Sequence, residues 1–297
     1  YNDKNWFDAL THYQRVIWKN SEIVDAHLGI GNCLLNRESF GDAIVAYDKV
    51  LDLDPYHHKA YYYSGFAYIA LEKYADAIPM FTKALMLDPD NEDTYYYLGL
   101  AYHKTNNQTR ALEALNRTVK LNPENGFAQY LLGSIYEDIL EVEKAISSYT
   151  LARKFAPEII EVHYKLGMLL YRTDYLKSAM EPLREFIILQ PDSTNVLKVL
   201  GHIFIDQKRY PEAINTYERL LKTIPDEINY HLAIAESYWS LKEYQNAKSS
   251  YEFVLEMNEE NIDILYRLGI ISMEDNDYVS AVGYFNDAIN CDDPTIN

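Results

Sequence analysis

Residues 58–91 read HKAYYYSGFAYIALEKYADAIPMFTKALMLDPDN. Tyr61, Ser64, Gly65 and Tyr68 fall at i, i+3, i+4 and i+7, which places them on one face of a helix. Ala77, Phe81 and Ala84 share one face of a second helix in the same way. Gly65 and Ala77 are small where their neighbours are large, so the two axes are expected to cross closely there. A bulkier Cβ substituent would force the helices apart. Pro89 has no amide hydrogen to continue the second helix and should close the unit. The stretch predicts a helix–turn–helix hairpin.

Working outward, the pattern repeats without a slip. Alanine stands at Ala9, Ala43, Ala77, Ala111, Ala145, Ala179, Ala213, Ala247 and Ala281, always 34 residues apart. Twelve residues before the last eight of these stand Gly31, Gly65, Gly99, Gly133, Gly167, Gly201, Ala235 and Gly269. Four residues after the alanine comes a large side chain, as at Tyr47, Phe81, Leu115, Tyr149, Leu183, Tyr217, Tyr251 and Phe285. Twelve after it come Pro55, Pro89, Pro123, Pro157, Pro191 and Pro225. One such hairpin cannot bury its own apolar face, and stacked neighbours can, so a solenoid follows.

These residues match the W-x2-L-G-x2-Y…A-x3-F…P pattern, and the chain resembles the tetratricopeptide-repeat family over essentially its whole length. Eight full repeats are read at 24–57, 58–91, 92–125, 126–159, 160–193, 194–227, 228–261 and 262–295. A partial repeat, 1–23, precedes them with a lone second helix near 3–19. The expected fold is all-α, a single right-handed superhelical solenoid. Departures are local: Ala235 replaces the glycine, Glu259 replaces a proline, and Pro294 comes one residue late after Asp293. Pro79 and Pro182 fall inside second helices and should bend or loosen their first turns. The eighth repeat has no helix after it to cover its outer apolar face. The opening at Tyr1 without Met reads as an excerpt.

In this family the first helices line a concave groove, and the resemblance implies that positions 2, 5, 9 and 12 of each repeat face it. The candidate binding residues are Leu28, Asn32, Tyr62, Phe66, Tyr96, Leu100, His103, Tyr130, Tyr164, Met168, Tyr171, His202, Glu236 and Trp239. Tyr62, Tyr96, Tyr130 and Tyr164 in register offer ring faces and hydroxyls to an extended or helical peptide. The same tyrosines would equally serve to pack neighbouring first helices. The Lys/Asn clamp for chaperone C-termini is absent, since only Asn32 fits it. The asparagine ladder of the glycosyltransferase superhelix is absent too, because its position reads Gly29, Tyr63, Tyr97, Leu131, Lys165, Val199, Ala233 and Arg267. Asp206, Asp226, Glu227, Glu236, Glu260, Asp263 and Glu274 concentrate acid towards the C-terminal repeats, which favours a basic partner segment there. Acids after each proline, as in Asp90–Asp93 and Asp226-Glu227, are expected to cap the next helix.

Composition narrows the function classes. With 27 Lys+Arg against 45 Asp+Glu, the net charge of −18 repels phosphate backbones, so nucleic-acid binding is disfavoured. No apolar run is long enough for membrane insertion. Cys33 and Cys291 are far apart, giving neither a disulfide framework nor a metal site, which suits a reducing, cytoplasmic setting. No phosphate loop, H-E-x-x-H or G-x-S-x-G occurs, so no catalysis and no cofactor is read from the chain. The expected function is a protein-interaction scaffold or chaperone-like adaptor. The alternatives are the substrate-recruiting region of a larger enzyme, or a structural subunit that self-associates through uncapped ends.

Overall fold

The computed structural model describes residues 3–257 and 261–292, so Glu259, Glu260, Asp293 and Pro294 lie outside the described residues. It is all-α, with no strand among the described residues. The helix α1 (Asp3–Lys19) is the lone second helix. First helices follow at α2 (Val24–Asn36), α4 (His58–Ala70), α6 (Glu92–Lys104), α8 (Gly126–Asp138), α10 (Ile160–Arg172), α12 (Thr194–Asp206), α14 (Ile228–Ser240) and α16 (Ile262–Glu274). Each begins on the first residue of a repeat as read from the sequence. Between them lie α3 (Phe40–Leu53), α5 (Tyr74–Leu87), α7 (Gln108–Leu121), α9 (Val142–Phe155), α11 (Leu176–Leu189), α13 (Tyr210–Leu221), α15 (Tyr244–Met257) and α17 (Tyr278–Asp292). The chain forms two compact units, Tyr1–Val162 and His163–Asn297, each a run of the same hairpins. Within the first unit, α2, α4, α6 and α8 also touch in succession and make one wall of first helices.

The small residues do what their size dictates. A Cβ on Gly65 would stand 2.7 Å from the Phe81 ring, on Gly133 2.6 Å from Tyr149, and on Gly201 2.7 Å from Tyr217. The residue that the glycine admits is therefore the large side chain four positions after the repeat alanine. Tyr47, Phe81, Leu115, Tyr149, Leu183 and Tyr251 are all fully buried there, and so are the alanines Ala43, Ala77, Ala111, Ala145, Ala179, Ala213 and Ala247.

Both ends of each helix have a physical cause. Helical geometry is disfavoured for the residue before proline, and Asp54, Asp88, Asn122, Ala156 and Gln190 all leave it, with φ between −140 and −131° and ψ positive. First helices end differently, on a left-handed residue with no glycine: Glu38, Glu72, Asn106, Leu140, Asp174, Lys208, Lys242 and Asn276, at φ 57–64°. At the first of these, Ser39 N–H donates to Leu34 O (2.9 Å) and Glu38 N–H to Leu35 O (3.0 Å), a Schellman closure. The helices α5 and α11 run unbroken through Pro79 and Pro182. Each proline sits within the first two turns, where one backbone bond is all that is forfeited.

The caps are asparagines more than acids. Asn91 accepts from Thr94 N–H at 2.9 Å, Asn125 from Ala128 N–H at 2.9 Å and Asn261 from Ile264 N–H at 3.1 Å. Glu227, read as a cap, makes no capping bond and instead accepts from the Asn229 amide at 2.8 Å. On α17, Tyr278, Val282 and Ile289 are 60%, 59% and 59% exposed, whereas their register mates Tyr244, Ile214 and Leu255 are buried or half-buried.

Candidate functional site

Positions 5, 9 and 12 of the first helices form a stripe that is neither core nor free surface. Leu28 and Asn32 on α2, Tyr62 and Phe66 on α4, Tyr96, Leu100 and His103 on α6 and Tyr130 on α8 are all half-buried. In the second unit Tyr164, Met168 and Tyr171 on α10 and Glu236 and Trp239 on α14 are half-buried too, and His202 on α12 is exposed. A helix whose core stripe faces its own second helix must leave the adjacent stripe at this intermediate depth.

In the first unit this stripe is an aromatic wall. Tyr62 lies 6.2 Å from Tyr97 and 5.2 Å from Tyr63, and Phe66 meets Tyr97 edge-on at 5.2 Å. Tyr96 and Tyr97 are 5.1 Å apart, while Tyr63 stacks on Tyr47 and Tyr97 on Phe81. Edge-to-face and offset pairs of this kind add to the burial of the rings themselves. The sixth-position tyrosines Tyr63 and Tyr97 are thus part of the wall, although the sequence reading used that position only to exclude an asparagine ladder. Tyr130 leans on Tyr149 (6.0 Å), and Leu100 and Tyr130 both pack on the buried cluster of Leu115, Leu131 and Ile135. The tyrosines therefore pack and face outward at once. Between α4 and α6, Tyr62, Tyr63, Lys59, Asp88, Asp93 and Thr94 enclose a pocket of about 270 Å³.

Burial, then the neighbouring Tyr97, pushes the Tyr96 hydroxyl up to about 12. Burial first, then Tyr97 and Asp93, raises that of Tyr62. These groups keep their protons at neutral pH and remain hydrogen-bond donors. In both units hydroxyls at the foot of the stripe reach its polar members: Tyr47 donates to Asn32 (2.9 Å) and Tyr149 to Glu137 (3.0 Å) in the first, and Tyr251 to Glu236 (2.9 Å) in the second.

His103 carries a buried Nδ1 with no hydrogen-bond partner among the described residues. Burial holds its imidazole below the ordinary histidine range, with Asp138 opposing the shift and Lys104 adding to it. The folded state therefore takes up a proton less readily than the unfolded chain. Its contribution to stability is whole above about pH 6.5, the unfolded value, and is lost as pH falls from there towards the depressed folded value. His103→Gln should lose less stability than the parent between about pH 7.5 and 5.5 in paired urea melts. Parallel losses would contradict the assignment.

In the second unit the stripe becomes polar. Tyr171 and His202 meet through the hydroxyl and Nδ1 at 3.1 Å. His202, Ile205, Asp206, Tyr217, Leu232 and Glu236, with Asn229 and Ala233, line a pocket of about 510 Å³ between α12 and α14. Glu236, read as an acid offered to a partner, is already ion-paired with Arg267 at 2.8 Å, and that guanidinium also lies 5.2 Å over Trp239. The exposed Asp206 is the carboxylate left facing the pocket. The sequence signal for this was Arg267 at a position that is otherwise uncharged save for Lys165.

No helix among the described residues is long and apolar enough to cross a membrane. Three models of the tetratricopeptide repeat match the chain: one over 68–135, one over 4–58 and again over 232–294, and one over 196–227. A search of the curated proteins finds no match. Among solved structures, YrrB, described as a TPR protein with an unusual peptide-binding site, is 28% identical, with a TM-score of 0.54 over 63% of this chain and 96% of its own. MamA is 28% identical, with a TM-score of 0.52 over 56% of this chain and 91% of its own. MamA from residue 41 of Desulfovibrio magneticus RS-1 is 27% identical, with a TM-score of 0.52 over 57% and 96%. The unbroken 34-residue register, the large side chain packed against each repeat glycine and family matches over well over half of its length agree: the chain belongs to the tetratricopeptide-repeat family.

Proposed function

We propose that this protein is an interaction scaffold of the chaperone-like adaptor kind, holding an extended or helical segment of a partner protein along its first-helix wall. The observation that carries the reading is the half-buried aromatic stripe of Tyr62, Phe66, Tyr96 and Tyr130, whose tyrosine rings rest on the buried core with part of each left uncovered. Rings held at this depth present rigid, amphipathic faces at little entropic cost. The peptide-binding site named for YrrB supports the same use of the fold. In the second unit, the pocket beside Asp206 suits an aliphatic side chain next to a lysine or arginine, which refines the preference for a basic segment.

The test starts from peptides selected on the parent protein from a displayed random library. Against the combined variant Tyr62→Ala/Tyr96→Ala/Tyr130→Ala, checked by circular dichroism for an unchanged helix signal, the selected peptides should bind roughly 30-fold more weakly. Peptides that bind both proteins equally well would place the partner surface elsewhere.

A further inference from the structure

A third cavity opens between α11 and α13, with α12 as its floor. It has a volume of about 400 Å³ and is lined by Ile187, Leu197, Leu200 and Phe204, with Ile188, 76% exposed, as an apolar lip and Arg184 and Arg219 at its rim. All of these residues lie in the second unit.

The register of the repeats says why the space is there. The residue at the position of Leu197 is normally covered by the residue at the position of Arg219. Lys83 Nζ sits 5.2 Å over the Tyr61 ring, Arg117 5.9 Å over Tyr95, Phe253 4.2 Å from His231, and Glu185 2.8 Å from His163 Nδ1. Leu197 and Leu265 hold this position with neither a ring nor a polar atom, and of the two only Leu197 has a cation, Arg219, at the covering position, where Leu265 has Asp287. The missing polar atom has a second effect. At two of the repeats a histidine stands here whose Nε2 meets the carbonyl six residues earlier, His27 at Ser21 and His231 at Pro225, both at 2.8 Å. Leucine cannot make that bond, and Arg219 donates to the corresponding Pro191 carbonyl instead, at 2.8 Å. Arg219 is thus held at the cavity rim, with Leu197 where Tyr61 and Tyr95 offer a ring in their own repeats.

We propose that this cavity receives an aromatic side chain from an acidic segment of a partner protein. The ring would occupy the place that Tyr61 and Tyr95 fill in their own repeats, with a guanidinium above it. The volume is ample, since about 150 Å³ holds a benzene ring. The flanking acids follow from charge. Arg184 and Arg219 form a cationic rim on a chain whose net charge is −18, and the one carboxylate in the lining, Glu212, is engaged by Arg209 (Nε to Oε1, 3.0 Å). An acidic segment is repelled by most of this protein and attracted here. This is a site separate from the aromatic wall, and it does not depend on that reading.

The experiment uses the full chain with labelled isoleucine methyl groups, titrated with the acetylated and amidated tripeptide Asp-Phe-Asp, with Asp-Ala-Asp and Lys-Phe-Lys as controls. The expected result is saturable shifts of the Ile187 and Ile188 methyls with Asp-Phe-Asp, at least about fivefold weaker with either control. Leu197→Tyr restores the residue found at Tyr61 and Tyr95, and should keep the thermal midpoint while abolishing the shifts. Arg184→Gln, at an exposed site that cannot unsettle the core, should weaken binding about two- to fivefold. Tyr62→Ala/Tyr96→Ala/Tyr130→Ala should leave these shifts unchanged. Absence of saturable shifts overturns the proposal, and so does binding that survives both Leu197→Tyr and Arg184→Gln at the parent affinity. If Leu197→Tyr fails to fold, Arg184→Gln and the two control peptides decide.

Discussion

Phe81→Ala is expected to remove about 3–5 kcal/mol of stability, the range for deleting a fully buried phenylalanine ring. Phe81 is wholly buried, presses on Gly65 where a Cβ would stand at 2.7 Å, and stacks on Tyr97 at 5.9 Å. The void would lie between rigid helices that cannot collapse on it without breaking the register of both neighbours. In a stack that couples each hairpin chiefly to the next, the loss should be local. Amide exchange should quicken first across α4 to α7 and little in α1 or α2. The glycine supplies an internal control. Gly65→Ala alone should destabilise by about 1–3 kcal/mol through overpacking. On the Phe81→Ala background the added methyl fills part of the void and should stabilise. Urea melts of the four proteins read this change of sign, and additive losses would show that Gly65 and Phe81 do not share the space.

The second large effect is a gain. Six first helices end on a left-handed residue that is neither glycine nor asparagine: Glu38, Glu72, Leu140, Asp174, Lys208 and Lys242. A Cβ in that conformation costs about 1–2 kcal/mol. Glycine removes the clash and returns roughly 0.5–1 kcal/mol of it as lost chain entropy. Each replacement should therefore stabilise by about 0.5–1 kcal/mol, least at Asp174, because aspartate, like asparagine, tolerates this conformation. Leu140 is the cleanest single case, because it is 83% exposed and has little packing to lose. The sites lie a full repeat apart, so the six together should approach about 3–5 kcal/mol. Asn106 and Asn276 tolerate this conformation already and gain little on the same change. A combined variant no more stable than the parent would mean that these turns relax the strain by other means.

Much of the architecture was legible before any coordinates. A spacing of 34 residues, an alanine and a glycine twelve apart, and a proline twelve later dictate where each hairpin begins, crosses and ends. The reason is steric and local: only a small residue admits the ring of Tyr47 or Phe81, and only proline forces the residue before it out of helical geometry. First-helix starts at 24, 58, 92 and onward fell where the repeat placed them. The left-handed turns were not legible, because glycine is their usual mark and glutamate, leucine and lysine stand in its place.

The candidate site divides along the same line. Which residues share the outward stripe of a first helix follows from the 3.6-residue period, and Tyr62, Tyr96 and Tyr130 do lie at one depth. What those residues meet depends on side chains of the next repeat, 31 to 35 positions away, and no local period encodes such distances. That is why Tyr97 entered the aromatic wall unannounced, why Arg267 had already taken the charge of Glu236, and why Tyr171 met His202. The cavity over Leu197 is the sharpest case. Its leucine looks unremarkable in the chain, and only the stacking of Lys83, Arg117 and Phe253 on the same position in other repeats shows that something is missing there. Sequence alone determined the hairpin and its period, because these rest on backbone sterics within one repeat. Tertiary structure decided the partners of each side chain and the space left between them, because packing joins residues that the chain keeps apart.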